Sequence, residues 1–384
     1  MWNRFASILR CPCCHGSLAV RSFQETRINV EQRYVDLARS RGVWSDDFNI
    51  YVNCGVLLCE PCGLRFPIVE GLPIMLPYET PMHSAFARDW VSQLDAVAGG
   101  YAFPNRQPAP GEEFVFNSFS TEWLEYDYDG VIWESSYQDH KARVLKEIGP
   151  AIRTIRWYLE VGCGLGLATS VAHEMSSCDA VGVDLSLAVM KATAEFRSNP
   201  FMHFVQASAF AMPFLPHFFD VTYSRGVLHH TYSTQKAFEC IAQHCRKGGT
   251  LYLWLYGPGS VRSTPLRIAL YALELVARPL VSRAPNSPPA KWFLSTVALG
   301  YIGFNRLRRL FNTAIQPLNF ARALHAARDR FTPRFAHRHS PKEIVSWLMN
   351  AGFKAVEVLD PHDMPAAERD DFKRNVGVRA IRAI

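Results

Sequence analysis

Short, nearly continuous apolar runs recur through the middle of the chain, and helically spaced segments separate them. Residues 157–161, 180–184, 201–205 and 218–224 read as strands, and 246–255 as a fifth. Between them, 167–175 and 235–245 repeat apolar residues three and four apart, the period of a helix with one buried face. Apolar strands alternating with helices predict an α/β fold with a parallel sheet covered on both sides. After the fifth strand, roughly ninety residues intervene before the last strands, far more than an ordinary connection. They hold apolar helical runs at 266–276 and 292–304 and a basic amphipathic run at 305–324. A helix at 341–350, a strand at 354–358 and a final antiparallel strand at 375–382 are expected to complete the sheet.

The N-terminal region follows another pattern. Six of the ten cysteines lie in the first 62 residues, four of them in the pairs Cys11-Pro-Cys-Cys14 and Cys59-Glu-Pro-Cys62. Two intervening residues let both thiolates of a tight turn face one ion at about 2.3 Å, and two such turns complete a tetrahedron. Gly16 and Gly63 permit the left-handed turn that follows each pair. Cys11, Cys14, Cys59 and Cys62 are therefore expected to hold structural Zn2+, with no position left open for chemistry. Cys13 and Cys54 are candidate substitutes, and metal-free buried thiols are the plain alternative. The stretch 28–41 between the pairs reads as an inserted helix.

After the second pair comes Leu64-Arg-Phe-Pro-Ile-Val-Glu-Gly-Leu-Pro-Ile-Met-Leu-Pro77. With the paired cysteines it resembles the zinc-ribbon domain of the tRNA-methyltransferase activator family, over residues 8–77. The resemblance implies a module that binds and stabilises methyltransferase domains, a scaffold or substrate-side platform rather than a catalyst. The expected division is a ribbon at 1–77, a linker at 78–115, and a third part at 116–384 with an inserted cap at about 258–340. Within the linker, 99–111 carry enough Pro and Gly to break any regular element. An aromatic-rich segment at 116–126 follows.

The first central strand runs into Gly162-Cys-Gly-Leu-Gly166 and then a helix, a geometry in which backbone approaches a ligand closely. The second strand ends in Asp184, a carboxylate suited to the two hydroxyls of a ribose. A dinucleotide-binding loop would need glycine at 167, where the chain has Leu167. Glu160, two residues before Gly162, would repel a pyrophosphate but suits a cationic amino-acid head. The set Leu-Glu-Val-Gly-Cys-Gly-x-Gly, Gly-Val-Asp-Leu-Ser, Met-Pro-Phe, Phe-Asp-x-x-x-Ser-x-x-Val-Leu-His-His and Lys-Gly-Gly spans about 155–257. As a set it resembles class I methyltransferases dependent on S-adenosylmethionine (SAM), of the quinone-biosynthesis type.

That resemblance implies a Rossmann-like seven-stranded sheet carrying the ribbon in front and a helical insertion after the fifth strand. It implies that Glu160 orients the methionine amine indirectly and that Gly162, Gly164 and Gly166 bring the backbone close. Asp184 would hold the ribose and Leu185 would flank the adenine. Ser208 stands where such enzymes usually place an Asp for the adenine amino group, and Ala209, Ser224 and Arg225 complete the candidate set. His229 and His230, after the fourth strand, are candidate bases, with packing and helix capping as the structural alternative. Methyl transfer is an in-line displacement on an activated sulfonium, so positioning the acceptor is the main demand. No Asn-Pro-Pro-Tyr follows the fourth strand, and no cysteine nucleophile stands there.

Composition refines this picture. A chain of 384 residues suits about two to three domains, and 48% apolar with 20% charged residues excludes global disorder. No nearly uncharged stretch reaches the roughly 18 residues of a spanning helix, and the first ten residues lack a leader's apolar core; the expected location is cytoplasmic. The net charge of +6 hides an asymmetry: residues 261–340 hold thirteen Arg and Lys against Glu274 and Asp329. That local +11 lies in the insertion, where Arg334, His337, Arg338 and His339 are candidates for an anionic acceptor or cofactor. Three functions follow as expectations: a methyltransferase for a small metabolite, lipid-like or glycan-linked acceptor, one for ribosomal or transfer RNA, and a non-catalytic regulator. The basic, partly apolar insertion also suits peripheral contact with a membrane.

Overall fold

The computed structural model describes residues 1–124, 137–259, 265–311, 317–366 and 368–384. Tyr126 of the aromatic segment, together with Ser260 and Arg262 of the insertion, lies outside the described residues.

The N-terminal sheet is antiparallel, in the order β1 (Ala19–Arg27), β2 (Ile50–Cys59), β3 (Leu64–Val69), β4 (Leu72–Pro73). Helix α1 (Gln32–Ser40) fills the gap between the cysteine pairs, with Tyr34, Val35 and Ala38 buried. Beyond β4, two helices occupy part of the stretch expected to be a linker, α2 (Pro81–Asp89) and α3 (Val91–Ala98). The reason is local and tertiary together. Thr80 and His83 cap α2 reciprocally and Pro81 starts it, while Phe86, Leu94 and Ala98 pack on Val56 and Leu58 of β2. Residues 99–111 form no helix, in keeping with their Pro and Gly content. Helices α4 (Glu112–Trp123) and α5 (Tyr137–Ile148) follow.

The large sheet has seven strands: β5 (Trp157–Val161), β6 (Asp179–Asp184), β7 (Met202–Gln206), β8 (Phe219–Arg225), β9 (Cys245–Leu255), β10 (Phe353–Val358) and β11 (Val376–Arg382). Their order is β10-β11-β9-β8-β5-β6-β7. Strands β5 to β9 are parallel, and β11 runs antiparallel to both neighbours. Helices α6 (Leu167–Ser176), α7 (Ala188–Glu195) and α8 (Thr234–Ala242) connect the parallel strands. Strand order reverses between β5 and β8, so a cleft opens there at the carboxyl edge of the sheet.

The ribbon shares a core with this sheet. Phe5, Leu9, Phe66 and Met75 join Val161, Val183, Val205 and Phe214 in one buried cluster. Backbone pairing continues across: Met75 N–H donates to the Gln206 carbonyl at 2.8 Å, and Arg10 N–H to the Pro213 carbonyl at 2.8 Å. Asp179 is buried and accepts from Arg4 (2.5 Å) and His203 (3.2 Å), with Arg41 at 3.4 Å. The ribbon thus covers β7, an edge strand that would otherwise present unpaired backbone.

The insertion is helical: α9 (Pro265–Val281), α10 (Pro288–Phe311) and α11 (Phe320–Phe331). The expected single run at 305–324 is divided between two helices, its start ending α10 and its end opening α11. Asn319 caps α11 by accepting from Arg322 N–H at 2.9 Å, and Pro317 just before it has no donor to continue a helix. Ala277, Val281, Leu294 and Phe331 form a small core among the three. Helix α12 (Pro341–Asn350), opened by a Ser340–Glu343 capping box, and the single turn α13 (Arg369–Phe372) complete the chain.

Candidate active site

The glycine loop is tightly packed. Gly162 has φ of 81°, and a Cβ there would lie 2.0 Å from Val227, so no larger residue fits between the loop and the segment after β8. Gly166 also has positive φ, but a Cβ there would meet the Phe204 ring at 2.7 Å. Gly166 is held by packing, whereas Gly162 and Gly164 line a cavity.

Asp184, at the end of β6, is fixed by backbone donors: Gly164 N–H reaches Oδ2 at 2.7 Å and Ser186 N–H reaches Oδ1 at 2.7 Å. A carboxylate has about four lone-pair sites, so two remain for hydroxyls. Glu160 is buried and accepts from the Thr169 hydroxyl at 2.5 Å. Burial pushes Glu160 up to about 8, with the Thr169 bond opposing, so its carboxyl is largely protonated at neutral pH until a cation arrives. Leu185 and Ala209 line the same cavity. Ser208 and Ser224 do not. The Ser208 hydroxyl accepts from Phe210 N–H (3.1 Å), and that of Ser224 donates to the Val161 carbonyl (3.0 Å). Arg225 borders the cavity, but its guanidinium is committed to Glu368 (2.9 Å), Asp371 (3.2 Å) and Glu147 (3.5 Å).

The cavity has a volume of about 1420 Å3 and runs from the glycine loop to the inner faces of α9, α10 and α11. Small-molecule pockets usually measure about 300–1,000 Å3, so two ligands can be held at once. His230 lies on its wall. His230 Nδ1 is 2.8 Å from the Phe335 carbonyl, which can only accept, so that nitrogen carries the proton and Nε2 keeps its lone pair. Nε2 is 3.9 Å from Asp329 Oδ1, and Asp329 Oδ2 accepts from the Tyr256 hydroxyl at 2.6 Å. Burial lowers the His230 pKa, with Asp329 and the Phe335 carbonyl opposing; the imidazole is neutral at pH 7. His229 differs. It is fully buried, neither ring nitrogen has a partner among the described residues, and its ring stacks on Tyr256 at 3.8 Å.

The four candidates near the end of the insertion separate in the same way. Arg338 lines the cavity. Arg334 lies over the Phe114 ring, His337 Nε2 donates to the Thr231 carbonyl at 3.0 Å, and His339 meets the Thr234 hydroxyl at 2.9 Å. These three latch the loop to α4, to the turn before α8 and to α8 itself. Beside Arg338 the structure adds two residues that sequence reasoning missed, Arg278 and Arg330. All three pair with the fully buried Glu274, at 2.7, 2.5 and 3.1 Å respectively. Also missed were Tyr256, Asp329 and helix α4, which contributes Glu112, Phe119, Glu122 and Trp123 to the wall. Asp329 had one available signal, as one of only two acids among thirteen bases.

The sulfurs of Cys11, Cys14, Cys59 and Cys62 all lie within 4.8 Å of one another, and Cys13 and Cys54 stand outside this set. Tetrahedral zinc with bonds of about 2.3 Å fits such spacing. Burial and the neighbouring sulfurs push the Cys59 thiol up to about 12. Among the described residues, no helix is long and apolar enough to cross a membrane.

Residues 159–253 match the family model described as a methyltransferase domain, and residues 3–71 match that of Trm112p-like proteins. A curated relative, an uncharacterized protein of Synechococcus sp., is 31% identical over 120 residues, which cover 29% of each chain. The chain therefore spans under a third of that relative's length. Among solved structures, phosphoethanolamine N-methyltransferase 2 of Haemonchus contortus, bound to phosphomonomethylethanolamine and S-adenosylhomocysteine, aligns at a TM-score of 0.44. It is 16% identical, over 73% of this chain and 62% of that one. A complex of the Haloferax volcanii Trm112 methyltransferase activator with a methyltransferase aligns at 0.39, with 13% identity over 70% of this chain and 98% of that one. This chain joins a Trm112p-like domain to a methyltransferase domain in one polypeptide.

Proposed function

We propose that the chain is a SAM-dependent methyltransferase acting on a small-molecule acceptor held between the carboxyl edge of the large sheet and the helical insertion. The observation that carries this reading is the continuity of one cavity from Glu160, Gly162, Gly164 and Asp184 at one end to His230, Asp329 and the three arginines at the other. Bound SAM would supply a methyl group on a positively charged sulfur. Asp184 would hold the ribose, the glycine loop would lie along the amino-acid part, and Glu160 would favour its ammonium group. The acceptor's nucleophilic atom would face His230 Nε2. His230 takes the acceptor's proton there, and Asp329 steadies the imidazolium that forms. Arg278, Arg330 and Arg338 carry three positive charges against the carboxylates of Glu274 and Asp329, and the remaining positive charge favours an anionic group on the acceptor. Helices α4, α9, α10 and α11 line the cavity around the reacting atoms and would limit their contact with water. Zn2+ on Cys11, Cys14, Cys59 and Cys62 would be structural, fixing the ribbon that covers β7.

The test is methyl transfer from labelled SAM into host extracts fractionated into lipid, glycan, RNA and protein. Label in a lipid or glycan fraction, or in another small molecule, supports the reading. Label confined to RNA or protein, or no SAM binding by calorimetry, overturns it. With an acceptor in hand, His230→Asn should lower kcat by about 10²–10⁴-fold with SAM affinity retained. A loss in KM alone would remove His230 from proton transfer.

A further inference from the structure

Helix α9 of the insertion turns Glu274 and Arg278 inward and apolar side chains outward. In α9, Glu274 is fully buried and Arg278 is largely buried against it. The outward face of that helix presents Ile268, Leu275, Val276 and Leu280, with Val276 71% exposed. In α10, Ala290, Leu294 and Ala298 face α11, while Trp292, Leu299 and Leu310 form an exposed stripe on another side. Trp292 is 74% exposed, and Phe311 at the helix end 86%. A surface helix normally has the reverse arrangement, and contiguous exposed apolar surface marks an interaction site.

The exposed charges that the described residues of the insertion contribute are all of one sign. Among the described residues of 265–340, the exposed charged side chains are Arg283 and Lys291 near the start of α10, and Arg306, Arg308 and Arg309 near its end. The two acids of the region, Glu274 and Asp329, are turned toward the interior.

The geometry points to an anionic lipid bilayer as the partner of the outer face of α9 and α10, with apolar side chains below the headgroups and bases at the level of the phosphates. Two other occupants fit less well. A second copy placed by a two-fold axis would bring these bases together without acids to meet them. A nucleic acid would meet Ile268, Leu275, Val276 and Leu280 on α9, apolar side chains that offer no phosphate contact. The same helices form the cavity wall with Leu273, Gly300 and Phe304, which are also exposed. The mouth of the cavity therefore opens at the rim of the apolar face, where a lipid-borne acceptor can enter. This inference rests on the proposed acceptor site and names its source, the bilayer.

Flotation of the full chain with vesicles tests it without SAM. The chain should float with phosphatidylcholine vesicles containing phosphatidylglycerol and much less with phosphatidylcholine alone. Val276→Gln combined with Leu280→Gln leaves the charge unchanged and should weaken binding about tenfold or more. Lys291→Gln combined with Arg306→Gln should weaken binding to the anionic vesicles by about tenfold. Circular dichroism and SAM titration report whether each variant is folded. Absence of flotation overturns the inference, as does flotation indifferent to the α9 pair. A dimer that the α9 pair dissociates, with no vesicle binding, assigns the face to a second copy instead. A chain that binds SAM and methylates a soluble acceptor without floating loses this inference alone. One that floats but binds no SAM loses the enzymatic reading.

Discussion

Glu160 and His230 are the two residues whose protonation the site controls most directly. Burial pushes Glu160 up to about 8, so below that pH an arriving ammonium group must displace a proton. SAM affinity should therefore rise by up to about tenfold per pH unit below 8 and level off above it. Calorimetry in buffers of different ionisation enthalpy should detect proton release near neutral pH. Glu160→Gln should abolish that release, and an affinity independent of pH in the parent chain would contradict the assignment. The spacing of Glu160, Gly162 and Asp184 was legible because these residues sit on contiguous strand–loop segments. The distinction between His229 and His230 was not. Adjacent in sequence, one ring is sealed against Tyr256 and the other reaches the cavity, a difference set by the Phe335 carbonyl 105 residues away.

At the level of elements, the insertion depends on a buried charge cluster rather than on a large core. Glu274 of α9 accepts from Arg278 of the same helix, Arg330 of α11 and Arg338 of the following loop. Removing the carboxylate leaves three largely buried guanidinium groups facing one another. Glu274→Gln should cost about 3–5 kcal/mol of local stability. Hydrogen exchange should show faster opening across 265–340 with the strands of the large sheet still protected; unchanged protection would show that the apolar contacts hold the cap unaided. The period of the apolar residues was sufficient to predict helices in this region. It could not say which apolar face is inward, because α10 carries two such stripes and only contact with α11 distinguishes them.

Across the whole molecule, the ribbon and the large sheet are joined by a common core, by backbone pairing at Gln206 and by the ion pairs of Asp179. A metal that holds the ribbon should then support both parts. Chelation, or Cys59→Ser, should shift a single calorimetric transition of the entire chain downward by several degrees, with one zinc lost per chain. Two separate transitions, the larger unmoved, would show that the parts fold independently. By itself the sequence determined the strand–helix alternation, the glycine loop with its two carboxylates, and the paired cysteines, since each is a local pattern of fixed spacing. Only the tertiary structure decided that 81–89 and 91–98 are helical, that α4 joins the cavity wall, and that Arg278, Arg330 and Asp329 stand with Arg338 and His230. Those placements arise from side chains distant in sequence burying each other's surface and charge, and no local periodicity encodes that.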